Sequence, residues 1–158
     1  MSDNSNGGEA GEQQPVFALE RVYVKDVSFE SPNVPGIFAQ QGQPEVNVEL
    51  GTEGRVVSDQ GHVETVLTVT VRSTFEGATV FIAEVQQAGL FRMSGIPEEQ
   101  MEQLMGINCP TILFPYAREA ISSLVTRGGF QQILLDPVNF QALYEQSRQQ
   151  ADAETQEH

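Results

Sequence analysis

Apolar and polar residues alternate in four stretches early in the chain, and apolar residues recur every three or four positions later on. Strands are therefore expected first and helices last. Val16 to Glu30 is rich in β-branched and aromatic residues and reads as the opening strand. A two-residue period puts Phe17, Leu19, Tyr23, Val27 and Phe29 on one face, with Asp26, Ser28 and Glu30 on the other near its end. Three prolines and two glycines in SPNVPGIFAQQGQP demand a crossing loop, whose Val34, Ile37 and Phe38 are apolar enough to line a pocket. Glu45 to Leu50 alternates again, with Val46, Val48 and Leu50 opposed to Glu45, Asn47 and Glu49, and GTEGRVVSDQG reads as a turn region. His62 to Arg72 sets Val63, Leu67, Val69 and Val71 against Glu64, Thr68, Thr70 and Arg72. Phe75-Glu76-Gly77 turns the chain into Ala78 to Gln87, with Phe81, Ala83, Val85 and Gln87 on one face and Ile82, Glu84 and Gln86 on the other.

Pro97 followed by Glu98 and Glu99 predicts a short helix through Met105. The main helix lies within Gly106 to Phe130, with a buried stripe of Ile112, Tyr116, Ala120, Ile121, Leu124 and Val125. Pro110 and Pro115 are expected near its start, and Arg127-Gly128-Gly129 marks its end. Ala117, Ala120, Ser122 and Ser123 form a small edge, which suits a place between two layers, of one domain or of several subunits. Asp136-Pro137 is expected to cap a last helix with the stripe Phe140, Leu143 and Tyr144. The expected fold class is α+β: a four-stranded antiparallel sheet followed by helices packed on one face.

Composition adds boundaries. Residues 1–15 are Gly, Ser, Asn, Gln and acid, and 149–158 are polar and acidic, so both are expected as disordered segments around one domain at 16–148. The net charge is −14, from 22 acids against eight basic residues of which only Lys25 is a lysine. That excess favours basic partners and disfavours nucleic acid and anionic lipid. No apolar run approaches the roughly 18 residues of a membrane span, the first residues lack the basic and apolar regions of a signal peptide, and Cys109 has no second cysteine. A cytoplasmic protein without direct membrane insertion is the expectation.

Candidate chemistry is sparse. No Gly-rich phosphate loop is present, and His62 and His158 have no metal-ligand spacing to other residues, so no cofactor or metal is expected. Asp26 and Glu30 stand about 13 Å apart along a strand, too far for a glycosidase pair. Cys109 has no histidine beside it and reads as a small buried hydrophobe. The chain is not expected to be an enzyme. Asp26, Ser28 and Glu30, with Glu84 beside Ile82 on another strand, instead suit a sheet face that docks a basic surface. Val46, Val48, Leu50, Phe140, Leu143 and Tyr144 read either as core or, if open, as an apolar trough.

Several runs resemble the SecB export chaperone family. They are YVKDVSFE from Tyr23 to Glu30 with Pro32-Asn33, Gln43-Pro44-Glu45-Val46, EVQQAGLF from Glu84 to Phe91, Asn108-Cys109-Pro110 with LFPYARE from Leu113 to Glu119, and Pro137-Val138-Asn139-Phe140. Together they span residues 16 to 146. The resemblance implies a homotetramer, a dimer of dimers with helices sandwiched between two sheets. It implies an ATP-independent holdase that keeps unfolded precursor proteins translocation-competent and delivers them to the motor ATPase SecA. SecA binding maps onto Asp26, Glu30, Ile82 and Glu84, with the acidic C-terminal tail as a second contact. The client groove maps onto Val46, Val48, Leu50, Phe140, Leu143 and Tyr144, with Phe38 of the crossing loop. Ala83, Val85 and Gln87 match positions tied to tetramer assembly. The same fold would also serve a related chaperone dedicated to one partner, such as an antitoxin. Two departures stand out: Gly42 occupies a place where family members often carry a tryptophan, and Ala83 one where a cysteine is common.

Overall fold

The computed structural model describes residues 14–156. Four strands, β1 (Val16–Glu30), β2 (Glu45–Val56), β3 (His62–Phe75) and β4 (Ala78–Ser94), form an antiparallel sheet in the order β1-β4-β3-β2. Three helices follow: α1 (Glu98–Gln103), α2 (Cys109–Arg127) and α3 (Phe140–Gln156). Strands precede helices as expected, and α2 packs on β4 and β3, the two central strands.

Strand ends differ from expectation in three places, of which the smallest is β3, running on from Arg72 to Phe75. β2 continues through GTEGRV to Val56, because Gly51 and Gly54 keep the ladder by pairing with Thr68 and Thr65. β4 continues past Gln87 to Ser94 through Gly89, where the side chain is missing for a packing reason. A Cβ there would stand 2.8 Å from the Phe91 ring and 2.9 Å from Leu113 of α2. Glycine lets α2 approach the sheet.

β1 departs from a simple alternation. Its pairing with β4 shifts at Leu19/Arg21 and again at Val24/Asp26, so Glu20 and Lys25 are bulged residues. Each bulge flips the faces that follow. Phe17, Leu19, Val22, Val24, Val27 and Phe29 pair on the helix side, whereas Tyr23 stands opposite Ala88 on the outer side with Asp26, Ser28 and Glu30. Tyr23 therefore does not share the face of Phe17 and Phe29, as uninterrupted alternation predicts. The buried Gln87 amide donates to the Tyr23 carbonyl at 3.1 Å, which satisfies backbone beside the second bulge.

The helical layer begins at Glu98 as expected, but no break separates the short helix from the main one. α1 runs through a wide π turn, Leu104–Asn108, directly into α2. Pro115 consequently lies inside α2, not near its start, and leaves one carbonyl of the preceding turn without its usual donor. The buried row is Cys109, Leu113, Ala117, Ile121 and Val125, joined by Phe114. The predicted stripe was displaced by one position, and its Tyr116 is 48% exposed. Small residues caused the displacement: Cys109 and Ala117 occupy the row where α2 comes closest to the sheet. The C-terminal end is as read, with Arg127 last and Gly129 left-handed at φ +90°.

α3 starts at Phe140 and is capped by Asn139, whose Oδ1 accepts from the Ala142 N–H at 3.1 Å; Asp136 does not cap it. The helix extends to Gln156, through most of the stretch read as an acidic tail. Residues 1–13, within the expected N-terminal arm, and 157–158 lie outside the described residues.

Candidate functional site

A single helix is about 10 Å across and strands stand about 4.8 Å apart, so one helix covers about two strands. α2 takes the middle pair, and the helix-facing side of both edge strands is left partly bare. On β2, Val46 and Val48 remain 47% and 41% exposed. On β1, Leu19, Val24 and Val27 are similarly open.

The β2 margin runs into a groove. Leu50, Thr52 and Gly54 of β2 form one wall, and Phe140, Leu143 and Tyr144 of α3 form the other, around a volume of about 570 Å³. Met105 and Gly106 of the π turn form the floor between them. Two glycines allow this closeness: a Cβ on Gly54 would stand 2.5 Å from Met105 Cε, and one on Gly106 would stand 2.6 Å from the Tyr144 ring. Phe140 anchors α3 by meeting Phe114 edge-on at 5.9 Å and is buried, while Leu143 one turn on is 43% exposed. Arg148 lies over the Tyr144 ring at 5.6 Å, so the far rim is polar.

Leu50, Phe140, Leu143 and Tyr144 are thus brought together, and Val46 and Val48 extend their surface along β2. Phe38 lies elsewhere. It packs at 5.2 Å against Phe130, which also meets Phe81 and Phe29, at the opposite end of the helix-facing side. Val46 pairs with Ser73, the β3 partner of Phe81, so the β2 strip leads from the groove toward this second aromatic cluster. Met105, Thr52 and the two glycines were not singled out by sequence reasoning; glycines within a strand and a turn carry no periodic signal. Gly42 has φ +133°, and a Cβ there would come within 2.8 Å of the Phe75 ring. A side chain at Gly42 would strain this backbone conformation and crowd the Phe75 ring.

The other side of the sheet is polar. Register places Glu30 opposite Ile82 and Ser28 opposite Glu84, with Asp26 one pair further, so Asp26, Glu30, Ile82 and Glu84 do share one face. Asp26 and Glu30 are exposed, and Glu84 accepts a hydrogen bond from the Thr70 hydroxyl at 2.8 Å. Toward the other end of this face sits a cluster that sequence reasoning missed. Glu64 of β3 is buried and accepts from the Tyr23 hydroxyl, from Lys25 Nζ at 3.1 Å and from Arg55 Nε at 3.2 Å. Small Ala88 between them lets Tyr23 reach across β4. Burial, then the bond to Glu64, pushes the Tyr23 phenol up to about 12. The Tyr23 hydroxyl foremost, with Lys25 and Arg55, holds the Glu64 carboxyl below the usual glutamate range although burial opposes it. The bulge at Glu20 turns Tyr23 to the outer face and the bulge at Lys25 lets that lysine join it, and both are invisible in a period-two pattern.

The remaining candidates have structural roles. His62 joins two elements: its Nε2 lies 3.2 Å from the Glu20 carboxylate and its Nδ1 2.7 Å from the Ser58 hydroxyl. The Ser58 oxygen already accepts from the N–H groups of Gln60 and His62, which makes it a turn cap. Cys109 is buried, and burial pushes its thiol up to about 11, so it is no nucleophile. Ala83, Val85 and Gln87 are all buried beneath α2 within the subunit. No helix among the described residues is long and apolar enough to cross a membrane.

The family model for SecB, preprotein translocase subunit SecB, matches residues 10–151. The chain belongs to the SecB family. The protein-export protein SecB of Dechloromonas aromatica is 54% identical over 138 residues, which cover 87% of this chain and 90% of that protein. The protein of the same description from Hahella chejuensis is 46% identical over 164 residues and is covered, like this chain, in full. Among solved structures, a Mycobacterium tuberculosis SecB-like chaperone in complex with a peptide from the HigA1 antitoxin aligns with TM-score 0.63 at 15% identity, covering 77% of this chain and 87% of that one. At that identity the likeness establishes the shared fold. SecB-family proteins are chaperones, not enzymes.

Proposed function

We propose that this SecB-family chain is an ATP-independent export chaperone. It holds unfolded precursor proteins in the cytoplasm, keeps them competent for translocation and passes them to SecA. The observation that carries this reading is the bare apolar margin of β2, Val46-Val48-Leu50, running into the groove against Leu143 and Tyr144. A folded protein conceals apolar segments, whereas an unfolded precursor presents them in succession. Each contact on an open margin is weak, and several on one chain sum through effective concentration. Phe38 would serve as a further apolar contact beyond the far end of the strip. The relatives described as protein-export proteins support this reading over a chaperone dedicated to one antitoxin.

Summation favours several grooves on one particle, and the working assembly in this reading is a homotetramer, a dimer of dimers. α2 exposes Pro115, Tyr116, Glu119 and Ser123 on the side away from the sheet, and β1 exposes Leu19, Val24 and Val27. These surfaces suit a second layer. Ala83, Val85 and Gln87 would influence assembly indirectly, by setting where α2 lies. SecA docks on Asp26, Glu30, Ile82 and Glu84, with the acidic end of α3 as a second contact, because this end of the face and the chain as a whole are acidic and suit a basic partner.

The test is refolding of a chemically denatured, slow-folding precursor with no nucleotide present. Stoichiometric chaperone should delay refolding of several unrelated precursors, and a particle near four times 17.3 kDa should carry them. Unchanged refolding rates would refute the holdase reading. Delay confined to a single partner would favour the dedicated chaperone.

A further inference from the structure

The outer face of the sheet is electrically two-ended. One end carries Asp26, Glu30, Glu49 and Glu84 with a single base, Arg72. The other end carries Arg21, Lys25, Arg55 and Arg92, half of the chain's eight basic residues, and His62, among three carboxylates: buried Glu64, Glu20 paired with His62, and Glu53, so that bases outnumber acids there. Lys25 and Arg55 converge on buried Glu64, which leaves that carboxylate inaccessible while the Arg55 side chain stays 69% exposed. Arg21 and Arg92 are exposed on adjacent strands, and neither forms an ion pair among the described residues. On a chain of net charge −14, such a concentration of bases on one face is conspicuous.

Distance ties the two ends into one surface. Glu84 and Arg92 lie on the same strand, and eight residues of strand span roughly 26 Å. A standard interface of about 800 Å² per partner is roughly 30 Å across, so a protein seated on the acidic end would also lie over the basic end. Opposed charges at the two ends of a footprint fix orientation, because the reversed pose sets like charges together.

We propose that Arg21 and Arg92, with Arg55, form a second contact for the docked translocase ATPase, receiving carboxylates that lie roughly 25 Å from its basic patch, so that the outer face accepts this partner in one orientation. This rests on the reading of Asp26, Glu30 and Glu84 as the primary docking residues. The two contacts act differently: the acidic end attracts the partner, and the basic end selects how it lands.

The sign of one substitution effect decides the matter. A uniformly acidic docking surface would gain from further negative charge, so the double variant Arg21→Glu/Arg92→Glu would then bind SecA more tightly. A two-ended surface predicts the reverse: association slowed about tenfold at low salt, less at high salt, with Arg21→Ala/Arg92→Ala intermediate. Delay of precursor refolding and native mass should match the unmodified protein, which controls for folding. Unchanged or tighter binding by the reversal variant, alongside weaker binding by Asp26→Ala/Glu84→Ala, would overturn the second contact and leave the primary one standing. If Asp26→Ala/Glu84→Ala also binds normally, the primary docking reading fails too, and the second contact with it.

Discussion

The two faces of one sheet are built on different principles. The outer face has no layer over it among the described residues and is organised by directed bonds: Thr70 to Glu84, and Tyr23, Lys25 and Arg55 to Glu64. The helix face is organised by burial, and one helix is too narrow to bury all of it. Its centre at Leu67, Val69, Val85 and Ile121 is sealed, while Val46, Val48, Val24 and Val27 at the margins are open. Apolar surface at a margin costs little when only a few residues are exposed, and it remains ready for a second chain. Specific polar bonds fix the shape of one face, and incomplete coverage gives the other its capacity to bind.

The contrast can be broken most forcefully at the sealed centre. Leu113→Ala, which leaves a void between α2 and β4, should cost about 2–5 kcal/mol in urea unfolding. A loss as small as that from a surface change would show that the centre is no better packed than the margins.

On the outer face, Glu64→Ala should cost about 1–3 kcal/mol near neutral pH, with the exposed Arg55 contributing least because water screens it. The pH dependence has a definite sign. The folded Glu64 carboxyl titrates below its ordinary 4.5, so its contribution is present above that value and is lost as acid takes the pH down through the folded value. The folded Tyr23 phenol titrates near 12 against an ordinary 10.0, so its contribution is complete below 10 and is lost as pH rises toward 12. Tyr23→Phe should flatten the alkaline limb of a stability-against-pH curve; an unaltered limb would remove Tyr23 from the network.

A smaller effect is expected at Gln87→Leu, about 1–2 kcal/mol, since it leaves the Tyr23 carbonyl beside the bulge without its donor. If this variant also shifts native mass toward dimer, Gln87 links the bulge to assembly through α2. An unshifted mass would confine it to the subunit.

Much of this was legible in the sequence where one period ran uninterrupted. β3 from His62 to Arg72 and β4 from Phe81 to Gln87 alternate without a break, and Asp26, Glu30, Ile82 and Glu84 fell on a common face as read. The failures share a cause. Bulges at Glu20 and Lys25 add residues that a period of two cannot accommodate, and so hid Tyr23 and the Glu64 cluster. Glycines at 54, 89 and 106 mark close approach between elements distant in sequence, and a pattern of side chains cannot register a missing one. The row on α2 was misplaced because Cys109 and Ala117 are small, although smallness is what admits the helix to the sheet. Phe38 was assigned to the groove by resemblance, and its place beside Phe130 depends on a crossing loop that has no periodicity.

The central claim is that uncovered apolar surface on the helix face holds unfolded polypeptide. Equilibrium titration of a fluorescently labelled, permanently unfolded precursor with the unmodified protein and with Val48→Lys/Leu143→Lys tests it most directly. Both side chains are exposed, so the variant should fold and assemble normally while binding at least about tenfold more weakly. Equal affinity for the two proteins, with the fold intact, would contradict the claim.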